Sequence, residues 1–320
     1  MTTVRCDFCF HNCLLKEGQL GVCKVRQNQN GSLVSLNYGQ VVAKAVDPIE
    51  KKPLYHFLPG SSTYSFALFG CNFECLFCQN HNISQNDSPY HPTRFKIATT
   101  QPKEIFQEFL SSKTPTVSYT YSDPIVWQDY MLDVASLVKE SGRYNCMVTN
   151  GSFTQISLER ALKYIDAFNI DVKGDESFYK KYCKGKLEPV LDAIETIAKE
   201  EDKVLEITSL LIEDIHSLKD VEFLADQLNQ RGVKVWHISR FFPHYKMDDY
   251  KITSEEYLQQ ALKIGKGAVE YLYAGNSSLD QNTETRCPNC HSTVIKNHKV
   301  KNLAKGRCLK CNYKIYGKFD

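Results

Sequence analysis

Residues 64–78 read Tyr64-Ser65-Phe66-Ala67-Leu68-Phe69-Gly70-Cys71-Asn72-Phe73-Glu74-Cys75-Leu76-Phe77-Cys78. The first six form a short, apolar, β-rich run, and Gly70 ends it. Three thiols follow at C-x3-C-x2-C spacing. Working outward, similar runs recur over 116–120, 145–149, 167–172, 204–210, 235–239 and 270–274. Between several of them, apolar residues at three- and four-residue spacing predict helices, over 125–138, 190–198 and 221–228. Alternating strands and helices imply parallel strands joined by right-handed crossovers. The fold class is therefore α/β, expected as a full or partial (β/α) barrel, with an open doubly wound sheet as the alternative. In either, ligands bind at the carboxyl ends of the strands. The barrel is expected over 59–276, between a Cys-rich segment and linker at 1–58 and a lysine-rich module at 277–320.

The chain has 320 residues, 42% hydrophobic and 24% charged, enough for one large domain and one or two small ones. Its 39 basic and 37 acidic residues leave a net charge of +2, so no global field favours nucleic acid or an anionic membrane. Neither a transmembrane stretch of about 18 apolar residues nor an apolar signal segment behind Met1-Thr2-Thr3-Val4-Arg5 is found, and the expected location is the cytoplasm.

Thirteen cysteines are many for such a chain. In a reducing compartment grouped thiols read as metal or cluster ligands, not disulfides. Cys6, Cys9, Cys13 and Cys23 form one group, Cys71, Cys75 and Cys78 a second, and Cys287, Cys290, Cys308 and Cys311 a third. Cys146 and Cys183 stand alone.

Three thiolates on one compact loop can hold three corners of a 4Fe–4S cubane and leave one iron open. An open iron can chelate an amine and a carboxylate, groups that the methionine moiety of S-adenosylmethionine (SAM) carries. Phe77, before the last thiol, is placed to pack on the adenine side. The competing reading is a zinc knuckle completed by His81 or His56; zinc usually takes four ligands, and the loop offers three cysteines.

The loop resembles the signature of the radical SAM superfamily, whose members fold as full or partial (β/α) barrels. That resemblance implies a carboxylate at the end of the second strand for the SAM ammonium, here Asp123 in Tyr121-Ser122-Asp123-Pro124. A helix N-cap is the other reading of Asp123. It likewise implies that Asn150 of Thr149-Asn150-Gly151, and Asp171 and Lys173 of Asp171-Val172-Lys173, line the SAM pocket, against turn chemistry and a surface salt bridge. Glu206, Thr208, His237, Ser239 and Arg240 are further strand-end candidates; His237 is a possible SAM or substrate contact or else a core histidine. The similarity extends to the radical SAM enzymes of the AmmeMemoRadiSam system, which are pyruvate formate-lyase-activating-like. It rests on Cys6-x2-Cys9-x3-Cys13 with Gly18, Gly21, Cys23 and Arg26, on residues 47–56, on Thr120-Tyr121, on 169–174 and on Trp236-His237-x-Ser239-Arg240-Phe241. One departure is that those enzymes usually carry Glu where this chain has Asp123.

The resemblance implies a radical enzyme that abstracts hydrogen from its substrate, with a flavodoxin or ferredoxin as reductant. Memo-like and AMMECR-type proteins are implied partners; a glycyl radical enzyme replaces them if the chain is an activase. A metal-binding or electron-transfer protein is the reading from another class, and the open iron argues against it. The third cysteine group, two C-x2-C knuckles seventeen residues apart, predicts a zinc ribbon whose metal supplies folding free energy; its lysines 296, 299, 301 and 305 should be a solvated face. The first group suits zinc or a second cluster, with His11 as a substitute ligand, and structural zinc is the expectation.

Overall fold

The computed structural model describes residues 2–88, 91–92, 94–95, 97–277 and 284–320. Two hairpins open the chain: Val4–Arg5 (β1) with Leu14–Leu15 (β2), and Arg26–Gln29 (β3) with Ser32–Ser35 (β4). Then come Val41–Pro48 (β5), Ser62–Leu68 (β6), His81–Ser84 (α1), Pro102–Ser112 (α2), Thr116–Tyr119 (β7), Gln128–Glu140 (α3) and Tyr144–Thr149 (β8). The chain continues through Gln155–Leu162 (α4), Ala167–Asp171 (β9), Glu176–Phe178 (α5), Glu188–Ala198 (α6), Val204–Leu211 (β10), Leu218–Gln230 (α7), Val235–Arg240 (β11), Glu255–Gly265 (α8) and Tyr271–Gly275 (β12). Local chemistry starts the helices where they start. Pro102 sits in the first turn of α2 behind a Gln101/Glu104 capping box, and a Ser217/Asp220 box opens α7.

Strands β6 to β12 are parallel neighbours in chain order within one eight-stranded sheet. An order without reversal has no switch point, which rules out the doubly wound alternative. Among the described residues no ladder joins β12 to β5, so the fold is a partial (β/α) barrel.

The expected segment at 1–58 divides in the structure. Strand β5 pairs antiparallel with β6 and belongs to the barrel sheet, where it covers an edge whose backbone groups would otherwise be unpaired. The Pro-bounded stretch after it makes one 3-10 turn at Ile49–Lys51. Leu54 and Phe57 then bury themselves under Cys146, Ala167 and Val204 at the N-terminal ends of the strands.

The C-terminal module comprises Glu284–Arg286 (β13), Thr293–Lys296 (β14), Lys299–Val300 (β15), Leu303–Ala304 (β16) and Arg307–Cys308 (β17). Val294, Ile295, Leu303 and Ile315 share a core with Val235, Tyr271 and Tyr273 of the sheet. The tail closes on the segment below the barrel, Leu58 N–H donating to Lys318 O at 2.7 Å and Lys318 N–H to His56 O at 2.8 Å. Lys296, Lys299, Lys301 and Lys305 are exposed, as expected. The junction expected near 277 runs into residues 278–283, which lie outside the described residues. No helix among the described residues is long and apolar enough to cross a membrane.

Candidate active site

The cysteine loop leaves β6 through Gly70, whose φ of +118° and whose Val25 and Val126 neighbours, 3.2 Å from a would-be Cβ, both disfavour a side chain. Two backbone bonds fasten the loop to the turn Tyr179–Cys183: Glu74 N–H to Cys183 O at 2.8 Å and Leu76 N–H to Tyr182 O at 2.9 Å. Cys71, Cys75 and Cys78 face a cavity of about 500 Å³, within the range of about 300–1,000 Å³ usual for cofactor pockets. The same cavity is lined by Phe77, Asp123, Asn150, Asp171 and Lys173, together with Thr208, Ser239 and Arg240. Residues from the ends of β6 through β11 thus meet at one site.

Burial pushes the Cys71 and Cys78 thiols up; for Cys75 a hydrogen bond with Cys183 acts first and burial second. Cys183 is fully buried behind the loop and does not line the cavity. The donor set fits a cubane with one open iron: three thiols on one loop, with no fourth thiol in the cavity wall among the described residues.

Asp123 is buried and fully engaged. Oδ1 accepts from Ile125 N–H at 3.1 Å, which caps the 3-10 turn Pro124–Trp127, and from Thr149 Oγ1 at 3.0 Å. Oδ2 accepts from Asn150 N–H at 2.8 Å. Burial raises its pKa to about 6 against these donors. The N-cap reading therefore holds, and the carboxylate also ties β7 to β8. Asn150 Nδ2 donates to Asn72 Oδ1 at 2.9 Å and lies 3.8 Å from Cys71 Sγ. Gly151 follows at φ +73°, and a Cβ there would meet Ile170 at 2.7 Å, so the turn reading of Asn150-Gly151 holds as well.

Lys173 donates to Asp171 Oδ2 at 2.7 Å inside the cavity rather than at the surface. Burial opposes its charge, but Asp171 and the neighbouring thiols outweigh burial and hold its pKa well above the usual lysine value. The strand end is braced by His216. Its Nδ1 accepts from Ile212 N–H at 2.9 Å, so Nε2 donates to Lys173 O at 2.9 Å.

His237 is placed differently from the expectation that it reaches SAM. It lies one layer below the cavity and is absent from its wall. Nε2 pairs with Glu206 at 2.7 Å, and Glu206 also accepts the backbone N–H groups of Tyr55 and His56 at 3.0 and 2.7 Å. The core-histidine reading is the one that holds, because segment 53–58 supplies donors that draw Glu206, and His237 with it, toward the closed end of the barrel.

Two groups in the wall, Tyr121 and Lys52, and one behind it, Cys183, have no role assigned from sequence. Tyr121 adopts φ +66°, rare for so bulky a residue, with its hydroxyl on Asp47 Oδ2 at 2.5 Å and its carbonyl held by Asn80 at 2.8 Å. Lys52 donates to the same Asp47 oxygen at 2.7 Å and stands 4.3 Å from the Tyr121 ring centre. Cys183 had no neighbour in sequence to give it away. Tyr121 and Lys52 were visible only as parts of recognisable blocks.

The outlying cysteine groups differ in spacing. The four C-terminal thiols lie within 4.8 Å of one another, with Cys287–Cys311 at 3.5 Å and Cys290–Cys308 at 3.6 Å, close enough to hold one metal ion. Cys6, Cys9 and Cys23 are buried and Cys13 is half-buried in the N-terminal hairpins. His11 Nε2 lies 3.0 Å from Asn72 O, so that nitrogen is engaged by the cysteine loop.

A partial barrel with a three-thiol loop after its first parallel strand defines a class of enzyme, and the comparisons agree. The profile of the radical SAM superfamily matches residues 67–225. An uncharacterized protein of Methanocaldococcus jannaschii is 39% identical over 325 residues, covering 98% of this chain and 95% of the relative. The 7-carboxy-7-deazaguanine synthase of the same organism is 24% identical over 192 residues, or 55% of this chain and 73% of the synthase. The fold is similar to that of Streptococcus suis SuiB bound to S-adenosylmethionine (TM-score 0.51, 12% identical, 68% of this chain and 52% of SuiB). The chain belongs to the radical SAM superfamily.

Proposed function

We propose that this chain binds SAM on a 4Fe–4S cluster held by Cys71, Cys75 and Cys78 and uses it to abstract hydrogen from a substrate carbon. The observation that carries this reading is the convergence of those three thiols on the cavity that the polar strand ends Asp123, Asn150, Asp171 and Lys173 also line. When bound, the cluster and SAM supply a 5′-deoxyadenosyl radical. The chain's own residues do the positioning. Phe77, 5.8 Å from Phe178, offers a ring face for adenine. Asp171 and Lys173, neutralising each other, offer hydrogen bonds to the polar groups of SAM without adding net charge. The enzyme is of the AmmeMemoRadiSam type, with Memo-like and AMMECR-type partners and a flavodoxin or ferredoxin as reductant; the sequence blocks around Asp47–His56 and Trp236–Phe241 support this. The C-terminal thiols hold zinc, in keeping with a tetrahedral S4 set.

The test is anaerobic reconstitution followed by dithionite and SAM. The protein should release 5′-deoxyadenosine and methionine, and Cys71→Ala should not. Equal, background-level release from both proteins defeats the reading.

A further inference from the structure

We propose that Cys6, Cys9, Cys13 and Cys23 hold a second iron–sulfur cluster, adjoining the loop of the first, rather than the zinc their number suggests. With Zn–S bonds of about 2.3 Å, tetrahedral thiolate sulfurs stand about 3.8 Å apart. The C-terminal quartet meets that requirement. Among the described residues the N-terminal thiols do not close into a set of that kind. Yet the segments that carry them are packed together, Cys6 N–H donating to Cys13 O at 2.9 Å. Cys6 feels the charges of Cys13 and Cys23, and Cys9 those of Cys6 and Cys23. Backbone N–H groups of Phe8, His11 and Val25 are directed at the sulfurs of Cys6, Cys9 and Cys23. Thiols gathered together yet not closed to the spacing of one zinc ion suit a larger core of iron and sulfide.

A second observation is independent of the thiols' positions. Arg26 is 1% exposed, its guanidinium 3.7 Å over the Phe8 ring. Nε donates to Val126 O at 3.1 Å and Nη1 to Asp129, but Nη2 is buried with no partner. An unsatisfied charged donor in such a place is costly unless an acceptor arrives. Arg26 lies among these thiols: its guanidinium covers Phe8, which stands between Cys6 and Cys9 in the chain, and a Cβ placed on Gly21 would lie 3.7 Å from both Arg26 Cβ and Cys23 Sγ. An anionic cluster, with sulfides as acceptors, meets that need.

The site also adjoins the central loop. Asn72, the residue after Cys71, has its backbone oxygen 3.0 Å from His11 Nε2, while its side chain donates to Ser152 Oγ at 2.7 Å and accepts from Asn150 at 2.9 Å. Phe10 N–H donates to Ser152 O at 3.0 Å, pressing the segment onto the same strand end. A reduced flavodoxin or ferredoxin would give up one electron to the N-terminal cluster, which would hand that electron to the central one. This last step rests on the proposed SAM chemistry; the metal assignment does not.

The experiment is iron, sulfide and zinc analysis of the anaerobically purified full-length chain, with EPR after reduction. About eight iron, about eight sulfide and about one zinc per chain are expected. The Cys71→Ala/Cys75→Ala/Cys78→Ala variant should keep about four iron and a reduced-cluster EPR signal, and adding Cys6→Ala and Cys9→Ala should remove both. About four iron with about two zinc in the unaltered chain overturns the proposal, and so does a triple variant without iron. The unaltered chain's stoichiometry decides even if a variant misfolds. Absence of 5′-deoxyadenosine with about eight iron present would reject the SAM reading and leave this one standing.

Discussion

The Asp123 carboxylate accepts the backbone N–H of Asn150 at 2.8 Å across the ends of β7 and β8, while capping the next turn through Ile125 N–H. One side chain thus joins two strand ends at the place where the cavity opens. Three donors converge on it, and none can turn elsewhere without breaking a strand end or a cap.

Asp123→Asn replaces one acceptor oxygen by an NH2 that must face a donor. We expect a loss of about 1–3 kcal/mol in urea unfolding. SAM binding to the reconstituted protein should weaken about tenfold, because the cavity wall loses its alignment and a charge. An unchanged urea midpoint would show that the three hydrogen bonds carry no net stability.

Glu206→Ala leaves three buried donors, those of Tyr55, His56 and His237, without an acceptor. A destabilisation of about 3–5 kcal/mol is expected from denaturant midpoints. SAM affinity of the folded fraction should stay unchanged, since neither Glu206 nor His237 reaches the cavity. A large loss of affinity at full folding would return His237 to the binding site.

Asp47 gives a pH test. Burial alone would raise its pKa, but hydrogen bonds from Lys52 and Tyr121 outweigh burial and hold it at about 2, below the ordinary 3.8. A depressed carboxylate stabilises the fold above its unfolded pKa and stops doing so as pH falls through the folded one. The stability difference between the unaltered chain and Asp47→Asn should therefore be about 2 kcal/mol near pH 6, shrink below about pH 4 and vanish only below about pH 2. A difference independent of pH over that window would mean that the ion pair with Lys52 is not what Asp47 contributes.

Zinc removal should be felt beyond the C-terminal module. Cys290→Ala should lose about one zinc per chain, with a fall of roughly 5 °C or more in the thermal midpoint. The reach follows from Val294, Ile295 and Ile315 packing on Val235, Tyr271 and Tyr273. Two separate transitions, with the barrel's midpoint unmoved, would contradict that shared core.

The strands, the cysteine loop after the first parallel one and the polar strand ends could be read from the chain itself. Each depends on residues that are neighbours in sequence: a β-rich run, a glycine, thiols two and three residues apart. The parallel barrel then carries Asp123, Asn150, Asp171 and Lys173 to one rim, because like positions of neighbouring parallel strands end at the same level. Other features needed the folded chain. His237 occupies the same strand as Ser239 yet stops below the cavity, because Glu206 is held there by Tyr55 and His56, some 150 residues earlier in the chain. Cys183 gains its place only when the turn after β9 packs behind Cys75. The two four-cysteine groups look alike as strings of residues. Which spacing each adopts depends on how distant hairpins and strands pack, and that contact geometry, absent from local sequence, brings the C-terminal set to within reach of one ion and does not close the N-terminal set in the same way.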